Sequence, residues 1–158
     1  MTGVGSLKGR GGAVGSVPAR WQSEVEVTVP FYDVDSMQVA WHGNYIKYFE
    51  DARCRLLEEL GCNYDHMAAS GYMWPVVDMR LKYVKPAHFK QRLRVLATIV
   101  EWQVRLKIDY RIVDVATGEV LTKGYTIQVA VDIATREMCF ATPEVFRQKL
   151  GVQPCDQV

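Results

Sequence analysis

Residues 31–53 read FYDVDSMQVAWHGNYIKYFEDAR, and the second half of that stretch decides the fold. From Tyr45 onward, Tyr48, Phe49, Ala52, Leu56 and Leu60 recur at helical spacing, with Lys47, Glu50, Asp51, Arg55, Glu58 and Glu59 on the other faces. Gly61 follows the last apolar position, where a helix C-terminus favours a residue free to adopt positive φ. The pattern predicts one helix of about four to five turns, carrying aromatics that only a curved sheet can cover.

On either side of this helix the period changes to two. Ahead of it, Val25, Val27, Val29 and Phe31 alternate with Glu24, Glu26 and Thr28, the signature of a half-buried strand, and Pro30 marks its end or a free edge. Beyond it, Val77, Met79, Leu81 and Tyr83 alternate with Asp78, Arg80 and Lys82. RLRVLATIVEW (92–102) reads as a more deeply buried strand, and VRLKIDYRI (104–112) alternates again from Val104 to Ile112. ATGE is a turn, VLTKGYTIQVAVD a last long strand, and TPEVFRQKL a short helix with Thr142 as N-cap and Pro143 in its first turn. Because EWQVR leaves so little chain between two strands, they form an antiparallel hairpin. The predicted architecture is α+β: one helix held in the concavity of an antiparallel sheet.

A chain of 158 residues forms one domain with a single core. Nineteen basic against eighteen acidic residues leave a net charge of +1, which gives no electrostatic case for nucleic acid or an anionic membrane. No apolar run approaches the ~20 residues that span a bilayer, and glycines interrupt any secretory core at the N-terminus. The expected location is cytoplasmic. Residues 1–22 are glycine-rich and aperiodic and are expected to be a flexible arm, 23–151 the folded domain and 152–158 a tail. KGRGGAVG, within the arm, lacks the G-K-[ST] ending and the preceding strand of a phosphate loop. Cys54, Cys62, Cys139 and Cys155 form no C-x-x-C pair and are expected to be reduced thiols.

Few catalytic templates remain. There is no G-x-S-x-G elbow and no dinucleotide fingerprint, and His42, His66 and His88 have no zinc-ligand spacing. If the chain is an enzyme, a carboxylate carries the reaction. Asp33 and Asp35 stand at the strand-to-helix junction; as a D-x-D pair they are a weak cation motif. Asp35 followed three residues later by Gln38 also has capping-box spacing, so spacing alone leaves Asp35 either a helix cap or a catalytic carboxylate. His42 is likewise either a scaffold residue or a participant. Glu50 and Arg53, at i,i+3, read as a structural ion pair.

The same residues resemble the hallmark segment of hotdog-fold thioesterases of the 4-hydroxybenzoyl-CoA thioesterase family. An aromatic at Phe31 or Tyr32, then Asp33, Asp35, His42, Tyr45, Tyr48, Glu50 and Arg53 match its spacing, and the strand order follows the family to about residue 140. Gln38 departs from it, standing where the family has glycine, and Val39-Ala40 keeps the next apolar pair loosely. The resemblance implies a hotdog fold, an antiparallel sheet wrapped around one long helix. It implies hydrolysis of an acyl-CoA or acyl-carrier-protein thioester, with Asp35 catalytic and the backbone N–H at His42 facing the thioester carbonyl. Whether Asp35 attacks directly or activates a water stays open. So does whether Tyr45, Trp74 and Pro75 line the acyl pocket or pack in the core, and whether Arg105 meets a substrate phosphate or solvent. No resident cofactor or metal is implied, coenzyme A arriving as part of the substrate. A homodimer or homotetramer is implied, with sites at subunit interfaces. The competing readings are a non-catalytic acyl-binding module, favoured by Gln38, and a hydroxyacyl-thioester dehydratase, which lacks its histidine signature here.

Overall fold

The computed structural model describes residues 17–152. Five antiparallel strands form the main sheet: β1 (Gln22–Thr28), β3 (Val76–Tyr83), β4 (Arg92–Glu101), β5 (Leu106–Asp114) and β6 (Val120–Gln128), in the order β1-β4-β5-β6-β3. Against its inner face lies α1 (Tyr45–Glu59), the helix expected from the apolar spacing. This is the hotdog arrangement. Two smaller pieces were not foreseen, α2 (Tyr64–Ala69) and β2 (Tyr72–Met73), and the expected last long strand breaks after Gln128, its end forming β7 (Val131–Asp132) in a separate ribbon with β2. The C-terminal helix α3 spans Glu144–Leu150.

Sequence periodicity turns directly into burial. Leu93, Val95, Ala97 and Ile99 of β4 and Leu106, Ile108, Tyr110 and Ile112 of β5 are buried, while their alternates are less so or face out. They meet Phe49, Ala52, Leu56 and Leu57 of α1, all fully buried. Each large side chain moved from water into this core contributes roughly 1.5–3 kcal/mol. Phe49 stacks on Tyr110, centroids 4.4 Å apart and rings nearly parallel. That close approach needs Gly124 on β6: an added Cβ would lie 2.4 Å from the Arg80 carbonyl oxygen and 2.7 Å from the Phe49 ring. Arg53, buried at the middle of α1, pairs with Glu50 and donates from Nε to the Tyr64 hydroxyl at 2.9 Å, so the i,i+3 pair also fastens α2.

The helix ends as its sequence specifies. Gly61 has φ +73°, and its N–H reaches Glu58 O while Cys62 N–H reaches Leu57 O, the doubly bonded turn that satisfies the last carbonyls. The start differs from one expectation. The α-helix begins at Tyr45, behind a 3-10 turn at His42–Asn44, so Asp35 lies ten residues ahead and caps no helix. The chain between is drawn into a short reversal instead, closed by a bridge between Val34 and Ala40.

Other local readings shift for identifiable reasons. Phe31 does not continue the inward face of β1: the strand stops at Thr28, and a 3-10 turn at Phe31–Asp33 swings Phe31 out to 73% exposure. Val104 is exposed in the β4–β5 loop, because the β5 ladder starts at Leu106. Thr142 does not cap α3; its hydroxyl is taken by the Trp102 carbonyl, and Pro143 holds the cap position. The expected arm reaches only partly into the described residues. Within it, Ala19–Trp21 forms a 3-10 turn held by bonds from Arg20 to Lys149 O and from Trp21 Nε1 to Leu150 O. Residues 1–16, with the phosphate-loop lookalike, and 153–158, with Cys155, lie outside the described residues.

Candidate active site

The junction between β1 and α1 is built around Asp33. Its carboxylate is buried, receiving Lys47 Nζ at 2.6 Å and the Tyr48 hydroxyl at 2.7 Å, both from the first turn of α1. Its carbonyl accepts from Trp41 N at 2.9 Å and Asn44 Nδ2 at 2.7 Å. Four bonds on one residue thus fix the incoming loop against the helix. Burial, and then donation to the Asp33 carboxylate, push the Tyr48 hydroxyl pKa well above its ordinary value. Tyr48 is therefore a neutral donor at any pH near neutrality.

Asp35 has the opposite character. One carboxylate oxygen, Oδ1, accepts Met37 N at 2.8 Å, an Asx turn that the backbone bonds Asp35 N to Val39 O and Gln38 N to Asp35 O complete. Among the described residues, Oδ2 has no donor. The turn brings Gln38 to φ +63°, the left-handed region that favours glycine. The family glycine has a plain backbone reason, and Gln38 takes up the same conformation with its side chain exposed.

Asp35 shares an open groove of about 270 Å³ with Val39, His42, Tyr45, Tyr83 and Lys85. Among the described residues, the N–H groups of His42 and Gly43 have no acceptor, since they open the 3-10 turn that leads into α1. The His42 ring packs beside the exposed Trp41 at 4.5 Å, and the His42 carbonyl accepts the Tyr83 hydroxyl at 2.6 Å. The Tyr45 hydroxyl accepts Ala87 N at 3.1 Å, which leaves its own proton without an acceptor among the described residues. Burial is the main cause that raises the Tyr45 pKa, so that proton stays in place. The groove therefore combines a half-free carboxylate, the unpaired amide of His42 and the side chain of Tyr45.

The structure brings Asp35, His42 and Tyr45 together and places the other predicted residues elsewhere. Trp74 is buried against the Phe146 ring at 4.9 Å, and its carbonyl accepts Gln128 Nε2 at 2.7 Å; it does not line the Asp35 groove of its own chain. Pro75, the next residue, gives its carbonyl to Val129 N. Arg105 sits in the β4–β5 loop, held by Glu101 through Nε–Oε1 at 2.9 Å, which raises its pKa further. Tyr83 and Lys85 were missed. Strand alternation marks Tyr83 as inward-facing, but the sequence carries no signal that β3 ends beside the Asp35 loop.

Residues 29–150 match the Thioesterase-like superfamily. YneP of Bacillus subtilis, provisionally named an acyl-CoA thioesterase, is 31% identical over 111 residues, covering 70% of this chain and 80% of that one. The Synechocystis protein sll0410, provisionally named an esterase, is 30% identical over 136 residues, covering 85% and 81%. Among solved structures, a DHNA-CoA thioesterase from Staphylococcus aureus superposes with a TM-score of 0.69 at 28% identity, covering 75% of this chain and 80% of that one. Fold and likeness define a hotdog thioester hydrolase. The chain belongs to the Thioesterase-like superfamily.

Proposed function

We propose that the chain hydrolyses an acyl-CoA or acyl-carrier thioester in the Asp35 groove, and that Asp35 carries the reaction. The observation behind this is the free Asp35 Oδ2 in one groove with His42, whose N–H is unpaired among the described residues. The thioester carbonyl oxygen is held by the His42 amide. Asp35 then either adds to the carbonyl carbon, giving an anhydride that water opens, or takes a proton from a water that adds there. Negative charge grows on the carbonyl oxygen in both routes, where preorganised N–H donors stabilise it. Collapse expels the thiolate, a leaving group with a pKa near ~8.5 that needs no dedicated general acid. In this reading the Tyr45 hydroxyl donates to the substrate and His42 orients it.

The relatives' names support this reading, YneP as an acyl-CoA thioesterase and the S. aureus protein as a DHNA-CoA thioesterase. A homodimer belongs to it: β3 is a sheet edge with Val76, Val77 and Tyr83 exposed, which edge-to-edge pairing would cover. The test is release of free thiol across a panel of aliphatic and aromatic acyl groups, each offered as its CoA thioester and on acyl carrier protein. Turnover of at least one member is expected. No thiol release from any member, or conversion of hydroxyacyl or enoyl thioesters without thiol release, would overturn it.

A further inference from the structure

A depression larger than the Asp35 groove lies on the other side of the sheet from α1. It has a volume of about 580 Å³, and its walls carry Arg80 and Lys82 of β3, Lys123 of β6, and Lys107 and Arg111 of β5. Asp109 is the one carboxylate among its lining residues, a local excess of four positive charges on a chain whose net charge is +1. The cations are in register: Lys82 pairs with Lys123, and Lys123 with Arg111, three like charges in a row across three strands. Directly opposed like charges destabilise a sheet.

Two halves of this face behave differently. On the β1–β4 half the arginines are neutralised, Arg92 by Glu26 and Arg94 by Glu24 at 3.7 Å. On the β5–β6–β3 half, among the described residues, none of the five cations has a carboxylate within ion-pairing distance. Glu101, opposite Lys107, is occupied by Arg105. The floor is apolar, with Leu96 and a half-exposed Val100, and Lys107 lies over the Tyr125 ring at 4.5 Å. Three strands span ~10 Å, and Lys107 to Arg111 runs ~13 Å along β5. That is the footprint of one helix, ~10–12 Å across and about nine residues long. A second copy of this chain would bring the same excess of positive charge against it, and a flat bilayer would leave the depression unfilled.

We propose that this groove seats an acidic surface helix of an acyl carrier protein, so that the acyl group arrives on a protein rather than on free coenzyme A. The proposal rests on the thioester-hydrolase reading above and names its substrate carrier. A carrier protein presents the same phosphopantetheine thioester that coenzyme A presents. The groove adjoins the site: Lys82 on the outer face and Tyr83 in the Asp35 groove are consecutive residues of β3, at its exposed edge.

The experiment uses the full chain and an Arg111→Glu/Lys123→Glu double variant. One acyl group is offered as its CoA thioester and on acyl carrier protein, and binding of the carrier without its acyl group is followed by fluorescence anisotropy. The double variant is expected to lose at least tenfold in kcat/KM on the carrier-borne substrate and in carrier affinity, with the CoA thioester unchanged within twofold. Wild-type carrier binding should weaken several-fold between 50 and 300 mM salt. Lys123→Gln, which relieves the like-charge row, should keep its melting temperature and show a smaller loss of the same kind, so a misfolded double variant does not hide the result. Equal losses on both substrates would assign the groove to phosphate groups of coenzyme A and overturn the proposal. So would no loss on either, or binding to phosphatidylglycerol vesicles with none to the carrier. A wild type that binds the carrier but hydrolyses neither substrate would refute the hydrolase reading and leave the docking surface standing.

Discussion

At the scale of single residues, Asp33 and Asp35 show how two identical side chains two positions apart acquire opposite duties. Asp33 gives both carboxylate oxygens to α1 and is buried, whereas Asp35 keeps one oxygen free in an open groove. Sequence spacing offered a capping box for Asp35, and that spacing is shared by the Asx turn it makes. The difference lies in the Val34–Ala40 bridge, a contact no local pattern records. Gln38 is the complementary case. Its departure from the family glycine favoured a non-catalytic module, yet its backbone occupies the position a glycine would. A left-handed residue other than glycine costs about 1 kcal/mol. Gln38→Gly should therefore raise stability by about 0.5–1 kcal/mol in urea unfolding, with no loss of thioester turnover; destabilisation would mean the side chain makes a contact that offsets its strain.

The elements were the most legible part of the chain. The α1 stripe and the alternation in β4 and β5 translated into buried faces because each repeats long enough to be unambiguous. The short pieces α2 and β2 were not legible, since six or two residues carry too little period to register, and neither was the break that parts β7 from β6. The α1–β6 contact makes a sharp prediction. Gly124→Ala should destabilise by more than about 2 kcal/mol in chemical denaturation, because backbone at Arg80 as well as the Phe49 ring must move; a near-neutral result would show that the sheet yields there. The turn that ends α1 carries a pH signature. Burial pushes the Cys62 thiol up to about 11. A raised folded pKa adds stability that is complete below the unfolded thiol value, near ~8.5, and is lost as pH rises through the folded one. Melting temperature should fall between about pH 9 and 11, and less steeply in Cys62→Ala once its lower starting stability is subtracted. Parallel curves would remove Cys62 as a cause.

Across the whole molecule, the fold reads from the sequence far better than the arrangement of its charges. A net charge of +1 gave no hint of the basic half of the outer face, because the excess emerges only when strand register sets Lys82, Lys123 and Arg111 side by side. The candidate site divides in the same way: the hallmark stretch supplied Asp35, His42 and Tyr45, while Tyr83 and the remote places of Trp74 and Arg105 depend on long-range pairing. The exposed edge of β3 predicts self-association, and sedimentation at micromolar concentration should give twice the monomer mass or a multiple of it; a monomer would leave that edge without a cover. The central claim is the catalytic role of Asp35. Its most direct test is kcat of Asp35→Asn on the best thioester of the panel, beside its melting temperature. A fall of about 10²–10⁴-fold is expected with the fold intact, because asparagine keeps the bond to Met37 N but neither attacks nor accepts a proton. Turnover at the wild-type rate would contradict it.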